Sequence, residues 1–134
     1  MTIAVEQVKT YNIRTENYEA NVSLASSQYC AVAPVSAASG KMKVGLPSGQ
    51  GVLCRGIVQN APAAGAQANV MQLGRSKAKA ASTFNSGVEL TPSGTTGTLE
   101  AASSGDYVIA ISVDASTCAN AIVVVDLVHP FQKN

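Results

Sequence analysis

Tryptophan is absent from the 134 residues, histidine occurs once, and charged side chains make up 13% of the chain. Ordinary soluble domains carry about 25% charge. With a net charge of +1, there is no basic excess to draw the chain to nucleic acid. The lone histidine, His129, stands beside Pro130. By itself it is a poor general base, and it cannot build a multi-histidine metal site. The three cysteines, Cys30, Cys54 and Cys118, are odd in number, far apart and outside any C-x-x-C. They read as free thiols packed as small apolar core residues in a reducing compartment. No apolar run approaches the roughly 18 residues needed to cross a bilayer. The start, Met-Thr-Ile-Ala-Val-Glu, has neither the basic nor the long apolar stretch of a secretory leader. Neither a membrane nor a nucleic acid is expected as a partner.

The carboxylates are equally uninformative about chemistry. They number eight and are scattered, with no close pair for acid–base work. Asp106, Asp114 and Asp126 are expected at strand ends, where Asp caps turns. No phosphate-binding G-x-x-x-x-G-K-[ST] occurs, and Gly49-Gln50-Gly51 fails the dinucleotide pattern at its third glycine. No catalytic residue, metal ligand or cofactor is assigned.

What the chain does have is a repeat. Residues 51–73 and 105–127 overlay at an offset of 54, which places Gly51 on Gly105, Ile57 on Ile111, Asn60-Ala61 on Asp114-Ala115, Val70 on Val124 and Leu73 on Leu127. Each copy is an apolar extended run, a turn of small residues and a second apolar run, the grammar of a β-hairpin. Valine occurs 16 times and leucine 7 times, a balance that favours strands because a branched Cβ packs well on a pleated sheet. No segment reads as an amphipathic helix beyond a half-turn near 101–104. The expected fold is all-β.

Residues 1–25 differ from the rest, with Glu6, Lys9, Arg14 and Glu16 interleaved with Ile3, Val5, Val8, Tyr11 and Ile13. This segment reads as an arm that orders on a partner, or else as an edge strand or loose terminus. Residues 26–134 form the β-rich domain. In it, Lys41–Leu46 alternates at period 2, Tyr107–Val113 and Ile122–Val128 look buried on both faces, and His129-Pro130 should end the last strand. Arg75, Lys77 and Lys79 fall on one side of a strand. They read either as a charged edge strand guarded against aggregation or as a docking face for an acidic partner or phosphate.

Several stretches then occur in order: Gln28-Tyr29-Cys30-Ala31-Val32, Gly51-Val52-Leu53, Val58-Gln59-Asn60-Ala61-Pro62-Ala63-Ala64-Gly65, Val70–Lys77, Ser86-Gly87-Val88-Glu89-Leu90-Thr91 and Gly105-Asp106-Tyr107-Val108-Ile109-Ala110-Ile111. Across residues 28–128 this set resembles the small head-decoration (capsid cement) proteins of tailed bacteriophages. Ala110 stands where the resemblance expects glycine, and Cys118-Ala119-Asn120 replaces a glycine-containing turn.

The resemblance implies a β-tulip or β-clip-like small barrel with an extended N-terminal arm. It also implies a homotrimer on the outer surface of an expanded phage head, with the major capsid protein as partner. The arm would then add a strand to a shell protein, with Ile3, Val5, Val8, Tyr11 and Ile13 entering pockets. Two rivals remain. One is a surface fibre or adhesion module for host glycan or protein, although the chain offers few aromatics for ring stacking. The other is a small hydrolytic β domain, which would have to use His129 as its base.

Overall fold

The computed structural model describes residues 11–36 and 40–134. All of the regular structure in them is β: β1 (Tyr11–Glu19), β2 (Ala31–Val35), β3 (Lys43–Gly45), β4 (Gly56–Val58), β5 (Gln67–Lys79), β6 (Glu89–Ser93), β7 (Thr98–Ala101), β8 (Tyr107–Ser112) and β9 (Ile122–Gln132). The sheet order is β3-β2-β4-β5-β9-β8-β6-β7, with β1 also on β5, and every pairing between named strands is antiparallel. The fold is all-β, a curled half-barrel.

The repeat appears as two hairpins, β4–β5 and β8–β9, which lie side by side through β5 and β9. Their turns work alike. Asn60 accepts a bond from the Asn69 amide and donates one to the Gln67 carbonyl, both 3.0 Å. Asp114, at the same place in the second hairpin, accepts from the Val124 amide at 3.3 Å. The registers differ by one residue, however: Ile57 pairs with Met71, whereas Ile111 pairs with Asp126. A one-residue shift sends a side chain to the other face. Ile57 is therefore in the core, while Ile111 is only half-buried beside Asp126.

The central strand, β5, pairs at Val70 and Met71 with β4 on one edge and with Glu16 and Thr15 of β1 on the other. Two irregularities interrupt the β1–β5 ladder. Ile13 is left over on β1 between Asn12 and Arg14, and Gln72 is left over on β5 between Met71 and Leu73. An extra residue reverses the alternation beyond it. Before Gln72, Val70 belongs to a smaller apolar cluster and Met71 to the main core; after it, Ala78 and Ala80 belong to the main core.

The main core fills the concave side with Ile57, Leu90, Leu99, Ile109, Val125 and their neighbours. The smaller cluster, with Ala20, Leu24, Val32, Val44, Val58 and Val70, covers the opposite face of β2, β4 and the start of β5. The far end of the sheet bends back towards β2: the Ala31 amide donates to the Gly97 carbonyl at 2.7 Å, and the Ala81 amide to the Leu99 carbonyl at 2.7 Å. Gly97 has φ +77, and a Cβ there would meet the Ala31 carbonyl, so this closure requires glycine.

Several sequence expectations change. Residues 11–19 of the segment 1–25 adopt the edge-strand alternative, and Ala20 and Leu24 after them are core residues. β9 runs through His129-Pro130 to Gln132. It can do so because the β8–β9 ladder is irregular there: Val108 pairs with Phe131 and Ala110 with Leu127, so the proline faces no regular ladder position. β9 is not buried on both faces: Val123, Val125 and Leu127 are buried, whereas Ile122 is exposed and Val124, Asp126 and Val128 are half-buried. Val44 is buried as the alternation of 41–46 requires, but Met42 is exposed. Asp126 lies within β9, not at its end.

Candidate interaction surface

The cations of β5 sit on the side away from the core, as their period of 2 requires, between buried Ser76, Ala78 and Ala80. The strand that carries them is not an edge strand: β5 is the most extensively paired strand of the sheet, with β9 alongside Gly74–Lys79. The three cations have different surroundings. Arg75 makes a two-pronged ion pair across the ladder, Nε to Asp126 Oδ1 at 2.8 Å and Nη2 to Oδ2 at 3.2 Å. Lys77 lies with its ammonium 5.7 Å from the centre of the Tyr29 ring, within cation–π range. Lys79 is half-buried, and its amide donates to the Tyr29 carbonyl at 2.9 Å. With Ile122, Val124 and Val128 on the adjoining β9, the outward face is mixed apolar and cationic.

Of the apolar residues assigned to the arm, Ile3, Val5 and Val8 lie outside the described residues. Tyr11 begins β1, in register with Arg75. Ile13, the extra residue of the bulge, is 66% exposed. It borders a shallow hollow with Leu73, Gly74, Asp126 and Leu127. The structure thus brings Ile13 next to the Arg75–Asp126 pair and leaves Lys77 and Lys79 further along the strand.

His129 is exposed and lines a small cavity of about 150 Å³ with Arg14, Arg55, Gln72, Leu73 and Pro130. Among the described residues no serine, cysteine or carboxylate lines that cavity, so none of them offers the histidine a nucleophile to activate or an acid to orient it there. Cys30 and Cys54 are buried free thiols, as expected, but Cys118, in the turn before β9, is exposed. Burial pushes the Cys54 thiol up to about 12. Burial also raises Cys30, opposed by the nearby Lys79 charge. Both shifts favour the protonated, unreactive form. Among the described residues, no three His, Cys, Asp or Glu side chains cluster as a metal site would require.

The convergence of Arg14, Arg55 and His129 was not legible beforehand, since these residues are far apart in sequence and no motif joins them.

No protein-family model matches the chain, and no curated protein matches it in sequence. Its structure is similar to that of the head fiber gp8.5 N base of bacteriophage phi29, with a TM-score of 0.68 and 14% sequence identity over 90% of this chain and 98% of that one. At this identity the likeness concerns the fold.

Proposed function

We propose that this protein is a non-enzymatic structural component of a phage head, carried on the outer surface of the shell. The observation that carries this reading is the likeness to a head-fibre base over nearly the whole of both chains. The ordered decoration-protein motifs between residues 28 and 128 point the same way. In the finer form of the proposal, three copies associate, contact the major capsid protein and cement neighbouring capsomers. Many weak contacts on a repeating lattice would then act together as one strong clamp. The mixed face of β5 and β9 suits such contacts, because it offers apolar area and cations without a closed ligand cavity.

A second reading has its own support. The structural neighbour is the base of a head fibre, so the protein could instead present a fibre or adhesion module that meets host glycan or protein.

Cosedimentation with undecorated shells, expanded and unexpanded, tests the proposal. Saturable binding to expanded shells, near one copy per capsid-protein subunit, is the expected result. Binding to neither shell removes the cement role and leaves the adhesion module. Strand addition by the N-terminal segment is tested by deleting residues 1–10 only, because residues 11–19 are paired with β5 and Ala20 is buried. The shortened protein should keep its fold and lose shell binding; full decoration by it would end the arm hypothesis.

A further inference from the structure

Arg55 presents a charge problem that the other described residues do not solve. It is half-buried, yet it takes part in none of the ion pairs of the described residues. Its Nη2 donates to the Tyr18 hydroxyl at 3.2 Å, and its buried Nε has no hydrogen-bond partner among the described residues. Tyr18 in turn accepts from Gln72 Nε2 at 2.6 Å. A neutral phenol thus holds the guanidinium in place without compensating its charge. A charge withdrawn from water and left unpaired is costly.

The same cavity gathers two more basic groups. Arg14 reaches it from β1, where its only counter-charge among the described residues is a loose contact, Nε to Glu16 Oε1 at 3.7 Å, with both side chains at least half exposed. His129 reaches it from the irregular stretch of β9. The bulges at Ile13 and Gln72 and the irregularity opposite Ile109 all adjoin the cavity. Bulges commonly re-aim side chains in this way beside functional sites.

We propose that the cavity lined by Arg14, Arg55, Gln72 and His129 is a binding site for one small oxyanion. A cavity of about 150 Å³, open to solvent, has room for such a group. The guanidinium fork offers paired donors to a carboxylate or a phosphate, and charge-assisted bonds of this kind are the strong ones. The anion is either a free phosphate or a carboxylate borne on an acidic side chain of a docking protein. The site rests on this chain's own geometry and stands whether or not the head role holds.

The test is a titration of the full chain with inorganic phosphate and, separately, with acetate, against sodium chloride at matched ionic strength. It follows the arginine Nε–H and His129 ring resonances by NMR. A saturable shift of the Arg55 and His129 signals is expected, with a dissociation constant of about 1 mM. Arg55→Gln and, independently, His129→Gln should each weaken it roughly tenfold or more, the effect of one charge-assisted bond. His129 is exposed, so its variant keeps the fold even if Arg55→Gln does not. Saturation by phosphate with acetate silent assigns a tetrahedral anion. Acetate matching or exceeding phosphate assigns an acidic side chain. No saturable shift beyond the chloride control, or an undiminished one in His129→Gln, overturns the site.

Discussion

The hairpins β4–β5 and β8–β9 share a spacing and differ in what the rest of the chain lays over them. The outer face of the first is covered by residues 20–24 and by Val44, so Val58 and Val70 are fully buried. The outer face of the second has no such cover among the described residues, so Val124 and Val128 remain half-buried and Ile122 exposed. An apolar strand pattern therefore reports a strand's capacity for burial. Whether the capacity is used depends on a third element. Among the described residues, the outer face of the second hairpin is the one left uncovered.

The largest expected effect separates the hairpins at Gly56 and Ala110, which overlay at the offset of 54. A Cβ at Gly56 would press into the Met71 carbonyl of the neighbouring strand. Backbone held by two ladders cannot move away, so Gly56→Ala should cost about 3 kcal/mol or more. Ala110 is buried with its methyl accommodated, so Ala110→Gly should cost only about 1 kcal/mol. Chemical denaturation of both variants checks this, and equal losses would mean that the hairpins pack alike.

The next effect compares the outer faces directly. Val70→Ala should lose about 2 kcal/mol, the worth of a fully buried side chain, and Val124→Ala less than about 1 kcal/mol. If Val124→Ala costs as much in free solution, the second hairpin already has a cover, self-association being the first to check by sedimentation.

A smaller difference is expected at the turns. Asn60→Ala removes two bonds and should cost about 1–2 kcal/mol; Asp114→Ala removes one long bond and should cost about 0.5 kcal/mol.

The last comparison vanishes at neutral pH. Cys54 and Val108 overlay and are both fully buried, but only the thiol titrates. Its pKa is about 12 in the folded chain against an ordinary 9.0. The folded state therefore retains a proton that the unfolded state releases. Stability should be unaffected below about pH 9 and should fall as pH rises from 9 towards 12. Cys54→Ala should flatten that part of the decline in denaturation midpoints measured across the range.

Much of this was legible in particular residues. Asn60 and Asp114 marked the turns because short polar side chains close hairpins locally, and the alternation of Arg75, Lys77 and Lys79 placed them outward because a strand has period 2. The offset of 54 located both hairpins. The leftover residues Ile13 and Gln72 carry no such mark, because a bulge is a mismatch between two strands and neither strand records it alone. Pro130 is a parallel case: its missing amide excludes it from a regular ladder, and only the pairing partner shows that the ladder there is irregular.

The all-β class, the paired hairpins and the outward row of cations are written in the chain, since each follows from short-range geometry and side-chain shape. Tertiary structure alone decided which apolar strands are covered, that residues 11–19 join the sheet, that Arg75 is neutralised by Asp126, and that Arg14, Arg55 and His129 share one cavity. Those outcomes depend on which distant segments meet across a curled sheet, and strand periodicity carries no information about that.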